Sequence, residues 1–115
     1  MADKLRRFEA AFEAWTAEPI EEIRTSVDLY NCSQSLQHTQ SNIEPMLRAF
    51  HDRRQIIPAP IEQWHQAMDW TIGNELRRLR RMVQSGRHQM ATRDLLHRVQ
   101  VLKEVWDAYQ FAITK

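Results

Sequence analysis

Apolar residues in the last quarter of the chain recur at intervals of three and four positions, and this spacing limits the possible folds more than any other feature. They are Leu95, Val99, Leu102, Trp106, Tyr109 and Ile113. Residues spaced in this way share one face of an α-helix. The spacing therefore predicts a helix over about residues 92–113, with Thr92 as its N-cap.

Two other stretches show the same helical spacing. Phe8, Phe12 and Trp15 predict a first helix over about residues 3–17, which Pro19 ends because proline has no backbone N–H to donate. A longer stripe predicts a helix over about residues 60–85, and it consists of Ile61, Trp64, Met68, Ile72, Leu76, Leu79 and Val83. Gly86 follows this stripe, where a left-handed residue commonly ends a helix.

The middle of the chain is ambiguous. An apolar stripe after Pro19 predicts a helix over about residues 20–38, and it consists of Ile20, Ile23, Val27 and Tyr30. A second set lies nearly opposite to this stripe on the helix, namely Leu29, Cys32 and Leu36. Residues 31–42 are therefore either part of a helix that has other helices packed on both sides, or a loop. A helix to about residue 38 is favoured.

A further helix is predicted over about residues 42–55. Ser41 or Asn42 can cap it, and Pro45 then falls within its first turn, where proline is tolerated. The segment IIPAP ends it, because each proline disfavours the helical conformation in the residue before it.

These patterns predict one all-α domain over residues 1–115, a small bundle of four to five helices. The sequence has no period-two alternation and no hairpin dipeptide, so it gives no sign of strands. Hydrophobic residues make up 43% and charged residues 27%, which is typical of a folded chain. The only cysteine is Cys32, and there is no apolar run long enough for a signal or membrane segment, so a cytoplasmic location without membrane contact is expected.

The sequence carries no catalytic or metal-binding signature. Its five histidines include no pair three or four positions apart, and the nucleophile, phosphate and dinucleotide motifs are absent. We therefore expect a protein that is not an enzyme and has no metal, no cofactor and no small-molecule substrate. His65 falls on the apolar face four positions before Asp69, which predicts a partly buried histidine that is hydrogen-bonded to that carboxylate.

Charge is concentrated in the segment NELRRLRRMVQSGRH, residues 74–88, although the formal net charge of the chain is only +1. On a helix, most of these arginines point away from the apolar stripe, and Trp70 lies in line with them. Tryptophan and arginine dominate the binding energy of protein interfaces. We therefore predict a partner-binding surface made of Trp70, Gly73, Asn74, Arg77, Arg78 and Arg81, with Phe111 as a further contact.

Two other interpretations of this segment stay open. The arginines could contact the phosphate backbone of a nucleic acid within a larger complex, and the residues concerned would be Arg77, Arg78, Arg81 and Arg87. Alternatively, another helix of the same chain could cover Trp70 while the acidic residues between positions 9 and 22 neutralise the arginines. The small net charge favours a protein partner or self-association over a nucleic acid.

Overall fold

The computed structural model of the protein describes residues 2–114, with side chains from residue 3 onward. Within this range it contains four α-helices and no strand: α1 (Ala2–Ala17), α2 (Val27–Arg53), α3 (Trp64–Gln84) and α4 (Gln89–Ile113). The prediction of an all-α bundle is confirmed. Helix α4 packs against the three other helices, whereas α1 and α3 make no contact with each other in the described part of the chain.

The stripes predicted for α1 and α4 belong to the core of the bundle, to which α2 and α3 also contribute. Phe8, Phe12 and Trp15 of α1 are buried. On α4, Trp106 is only 1% exposed, and four further members of its stripe are buried, namely Leu95, Val99, Leu102 and Tyr109. Aromatic rings pack edge-to-face across this core, such as Phe50 against Tyr109 with centroids 5.5 Å apart.

A short turn over residues 85–88 connects α3 and α4. Gly86 ends α3 there, as predicted. Gly86 has a φ of 74°, in the left-handed region that a residue with a Cβ rarely adopts. The N–H of Arg87 donates to the carbonyl of Met82, and the N–H of Gly86 donates to that of Val83. This pair of bonds is a Schellman motif, which stops the helix and turns the chain back.

The structure corrects the two middle helices, because residues 27–53 form one helix and residues 18–26 form none. Pro45 lies in the interior of α2, and Ser41 and Asn42 are helical residues rather than caps. The buried stripe of α2 is the second set, which begins with Leu29, Cys32 and Leu36, and not the stripe that follows Pro19. It continues through the break expected near residues 38–42 as Thr39, Ile43, Met46, Leu47 and Phe50. Val27, expected in the core, is 76% exposed.

Residues 18–26 form an irregular segment because side chains from other helices satisfy its backbone. Gln37 donates to the carbonyl of Ile20 at 3.1 Å, and Arg98 donates to that of Pro19 at 2.6 Å. Ser26 then caps α2 by accepting a bond from the N–H of Leu29 at 3.4 Å. Ser26 is thus the N-cap of this helix, in place of the predicted start after Pro19.

Two helix starts also differ from the predictions. Helix α3 begins at Trp64 after a left-handed Gln63, so Ile61 lies outside the helix and is 69% exposed instead of buried. Helix α4 begins at Gln89, and Thr92 is a buried residue of its first turn rather than its cap. The Thr92 hydroxyl donates to the carbonyl of Arg87 at 3.0 Å.

Replacing Pro45 tests the continuity of α2. In a continuous helix, proline removes the bond to the carbonyl four residues earlier, so Pro45→Ala should raise the free energy of unfolding by about 1–2 kcal/mol after the loss of proline's rigidity is included. Chemical denaturation followed by far-UV circular dichroism measures this change. Pro58→Ala, in the connection at residues 54–63, is the control and should be neutral or destabilising. A neutral Pro45→Ala would instead place Pro45 in a first turn.

Candidate interaction surface

One flank of α3 is held against α4 by the side chain of Asp69. Its Oδ1 accepts a hydrogen bond from Trp106 Nε1 at 2.7 Å and another from Gln110 Nε2 at 2.9 Å. The predicted bond between His65 and Asp69 is therefore wrong. The His65 ring instead packs on Trp106 with centroids 5.0 Å apart, and Asp69 Oδ1 accepts from the Trp106 indole and the Gln110 amide.

The other flank of α3 faces α2 through a buried carboxylate. Glu75 is only 7% exposed, and its Oε2 lies 3.4 Å from an Arg78 guanidinium nitrogen. Burial, together with a hydrogen bond to Glu75, raises the pKa of the fully buried Cys32 thiol well above its usual range. Arg78 therefore has an internal partner, and a buried carboxylate is stabilised only while such a partner is present.

Between these two flanks, α3 presents a face that the rest of the chain leaves open. Trp70 lies at the centre of this face, and 66% of it is exposed. Arg77 donates to Asn74 Oδ1 at 3.4 Å, and Arg81 is exposed on the same side. We call this surface the Trp70 face, and it consists of Trp70, Gly73, Asn74, Arg77 and Arg81. At Gly73, an added Cβ would meet only the end of the Arg77 side chain, so this position is open to an approaching backbone.

The acidic residues between positions 9 and 22 do not neutralise the arginines of this face. Three of them pair elsewhere: Glu9 with Arg54, Glu18 with His97 and Glu22 with Arg24. Among residues 3–114, no ion pair joins an acid between positions 9 and 22 to Arg77, Arg78 or Arg81. The interpretation in which the chain covers Trp70 and neutralises these arginines is therefore wrong.

The arginines predicted as one set are divided by the structure. Arg78, Arg81 and Arg87 line an open pocket of about 310 Å³ together with Asp28, Met82 and Ser85. Arg87 is paired with Asp28 at 2.6 Å across this pocket. Arg77 belongs to the Trp70 face, and Arg81 borders both regions. We call the pocket with its three arginines the arginine pocket.

Phe111 does not join Trp70 in one surface. It lies near the end of α4 and is 47% exposed. Lys4 Nζ lies 4.6 Å and Arg7 Cζ 5.6 Å from the centroid of its ring, as cation–π contacts. These two cations belong to α1, which does not contact α3 within residues 2–114. Phe111 therefore lies on the α1 side of α4.

Comparison with models of known protein families, with curated proteins and with solved structures finds no match for this chain. Among the described side chains, no group of three or more His, Cys, Asp or Glu residues could hold a metal ion. None of the four helices, within the residues described, is both long and apolar enough to cross a membrane. The site therefore has to be interpreted from its own geometry.

Two tryptophan substitutions distinguish the core from the Trp70 face. Trp106→Ala should lower the free energy of unfolding by about 3–5 kcal/mol because it leaves a cavity, whereas Trp70→Ala should lower it by about 1 kcal/mol or less. Because both variants lose the same side chain, each is the matched control for the other in urea denaturation. Equal losses would mean that Trp70 is buried and would remove the Trp70 face.

The buried thiol gives a prediction about pH. Because the pKa of Cys32 is raised by folding, unfolding releases a proton once the pH exceeds the ordinary thiol value of about 8.5. The stabilising contribution of Cys32 is therefore complete below about pH 8.5 and declines above it. The measurement is the difference in unfolding free energy between wild type and Cys32→Ala across this range. A difference that does not change with pH would contradict the buried position of the thiol.

Proposed function

We propose that this chain is a non-catalytic helical interaction protein that binds an acidic segment of a protein partner through the Trp70 face. The observation that carries the proposal is the exposure of Trp70, 66%, beside Arg77 and Arg81, for which no acidic partner occurs among residues 3–114. A large apolar ring with cations around it is suited to a partner that buries the ring and supplies carboxylates. The general role is that of an adaptor, chaperone, regulator or assembly subunit.

The rigidity of α3 supports this proposal. Asp69 accepts bonds from α4 on one flank, and Glu75 lies buried on the other, so the outward face has a defined orientation. A surface that is already ordered before binding loses less conformational entropy when the partner docks. The proposal includes the cytoplasmic location that the single cysteine favours, and it includes no catalytic step and no cofactor.

A second candidate function is contact with the phosphate backbone of RNA or DNA inside a larger complex. The arginine pocket favours it, because Arg78, Arg81 and Arg87 converge there beside the hydroxyl-bearing Ser85. Two of these arginines already have acidic partners, Glu75 and Asp28, which reduces the charge available for phosphates. The net charge of +1 also makes the protein partner the stronger candidate.

The first experiment measures binding of a partner recovered from the native source, using wild type, Trp70→Ala and Arg77/Arg81→Gln. Trp70→Ala should weaken binding by about 2 kcal/mol or more, as expected for a central aromatic contact. Arg77/Arg81→Gln should mainly slow association and reduce its dependence on salt. Arg53/Arg93→Gln removes the same charge from exposed positions outside the Trp70 face and is the control. Unchanged binding by Trp70→Ala would reject the proposal.

The second experiment distinguishes the nucleic-acid alternative by salt titration of binding to single- and double-stranded oligonucleotides. Each phosphate contact contributes a slope of about 0.7–0.9 to the log–log plot, so Arg81/Arg87→Gln should lower a pocket-mediated slope by about 1.4–1.8. Arg78 is kept in this variant because removing it would leave Glu75 buried without its partner. We expect weak oligonucleotide binding. Tight binding with a steep slope that this variant lowers would favour the nucleic-acid function instead.

A further inference from the structure

An apolar cavity of about 400 Å³ lies at the end of the bundle where α1 begins and where α2 and α4 end. Its walls include five apolar residues from three helices and the segment after α2: Leu5, Phe50, Ile56, Ala112 and Ile113. This volume falls within the usual range for pockets that hold small molecules, and such pockets are lined mainly by apolar side chains with few polar groups. The cavity shares no residue with the Trp70 face or the arginine pocket.

Two cationic side chains also line this cavity, and their surroundings differ. The Arg54 guanidinium is paired with Glu9 and donates to the carbonyls of Phe50 and His51. Its charge and its donors are therefore largely used within the chain. Lys4 has no carboxylate within ion-pair distance among residues 3–114.

The Lys4 ammonium group is oriented by two neutral contacts. Nζ donates to the Thr114 carbonyl at 3.0 Å and lies 4.6 Å from the centroid of the Phe111 ring. An ammonium group has three N–H donors, so this arrangement leaves donors for an anion. Within residues 3–114, Lys4 is the cation of this apolar cavity that has no ion pair, so the cavity is complementary to a ligand that has an apolar body and a single negative group.

We propose that this cavity binds a medium-chain monocarboxylate, with its hydrocarbon chain among the apolar residues and its carboxylate on Lys4. One lysine balances one negative charge, while Arg54 is already balanced by Glu9. Burial of the hydrocarbon chain supplies the affinity, and the charge-assisted bond to Lys4 selects the head group. The sequence contains no motif for this site and predicts no small-molecule substrate, because the cavity forms only when three helices that are distant along the chain come together.

Calorimetric titration with decanoate, below the concentration at which it forms micelles, tests the proposal on the intact chain. Decanol and decylammonium have the same hydrocarbon chain with a neutral or a positive head group, so they measure the contribution of the carboxylate. We expect saturable one-to-one binding of decanoate that is about tenfold or more tighter than that of either control. The absence of saturable binding, or equal affinity for the three compounds, would overturn the proposal.

Variants locate the site. Lys4→Gln should weaken decanoate binding about tenfold and leave decanol binding unchanged, because it removes the charge and keeps the side chain's approximate length. Lys103→Gln is the control, since Lys103 forms an exposed pair with Asp107 and does not line the cavity. Ala112→Phe should abolish the binding of both compounds by filling the cavity, with Ala10→Phe on the exposed face of α1 as its control.

The thermal unfolding of each variant shows whether it is folded before its binding is interpreted. A folded Lys4→Gln that binds decanoate as tightly as Lys103→Gln would overturn the assignment to Lys4. If Ala112→Phe unfolds, the NMR spectrum of the wild-type protein replaces this variant. The measurement is then the change in the chemical shifts of the Ile56 and Ile113 methyl groups when decanoate is added. Shifts confined to these methyl groups support the cavity, and shifts centred on other residues reject it.

Discussion

The packing of α4 against the three other helices is the constraint on which the rest of the structure depends. Trp106 lies at its centre, 1% exposed, in contact with the rings of Trp64, His65 and Tyr109. Its indole N–H donates to Asp69, so the largest core side chain also orients α3 through a polar bond. Burying an indole requires a partner for its N–H, and a carboxylate is a strong one. The orientation of the Trp70 face therefore follows from the same contact.

The outward direction of Trp70 results from the two different flanks of α3. One flank is held against α4 by Asp69, and the other carries buried Glu75, which is paired with Arg78 of the same helix. Rotation of α3 about its axis would break the bonds from Trp106 and Gln110 to Asp69, whereas the Glu75–Arg78 pair lies within α3 and would turn with the helix. A buried indole N–H that loses its acceptor is destabilising, so the bond from Trp106 to Asp69 resists rotation. Trp70 is therefore exposed because the contacts of Asp69 and the burial of Glu75 turn the opposite sides of α3 toward the other helices.

Sequence patterns were most accurate where one stripe had no competitor. The Phe8, Phe12 and Trp15 stripe of α1 is buried as expected, and so is the α4 stripe except for the partly buried Ile113. Gly86 ends α3 as expected. The prediction was wrong between residues 18 and 53, where two apolar stripes compete and where Pro45 appears to mark a break. A helix tolerates an interior proline at an exposed position when burial of its other face outweighs the lost hydrogen bond. The exposure of Trp70 was foreseen from helical geometry, whereas the separation of Arg77 from the arginine pocket was not.

The sequence by itself determined the helical class, the outward position of Trp70 on α3 and the apolar stripes of the first and last helices. These features depend on the spacing of neighbouring residues, which the 3.6-residue helical period converts directly into faces. Tertiary structure decided which stripe of α2 is buried, which acid pairs with which arginine, and that a cavity forms beside Lys4. Those outcomes depend on contacts between residues far apart in the chain. No local pattern encodes them, because each helix face is compatible with several partners until the whole bundle packs.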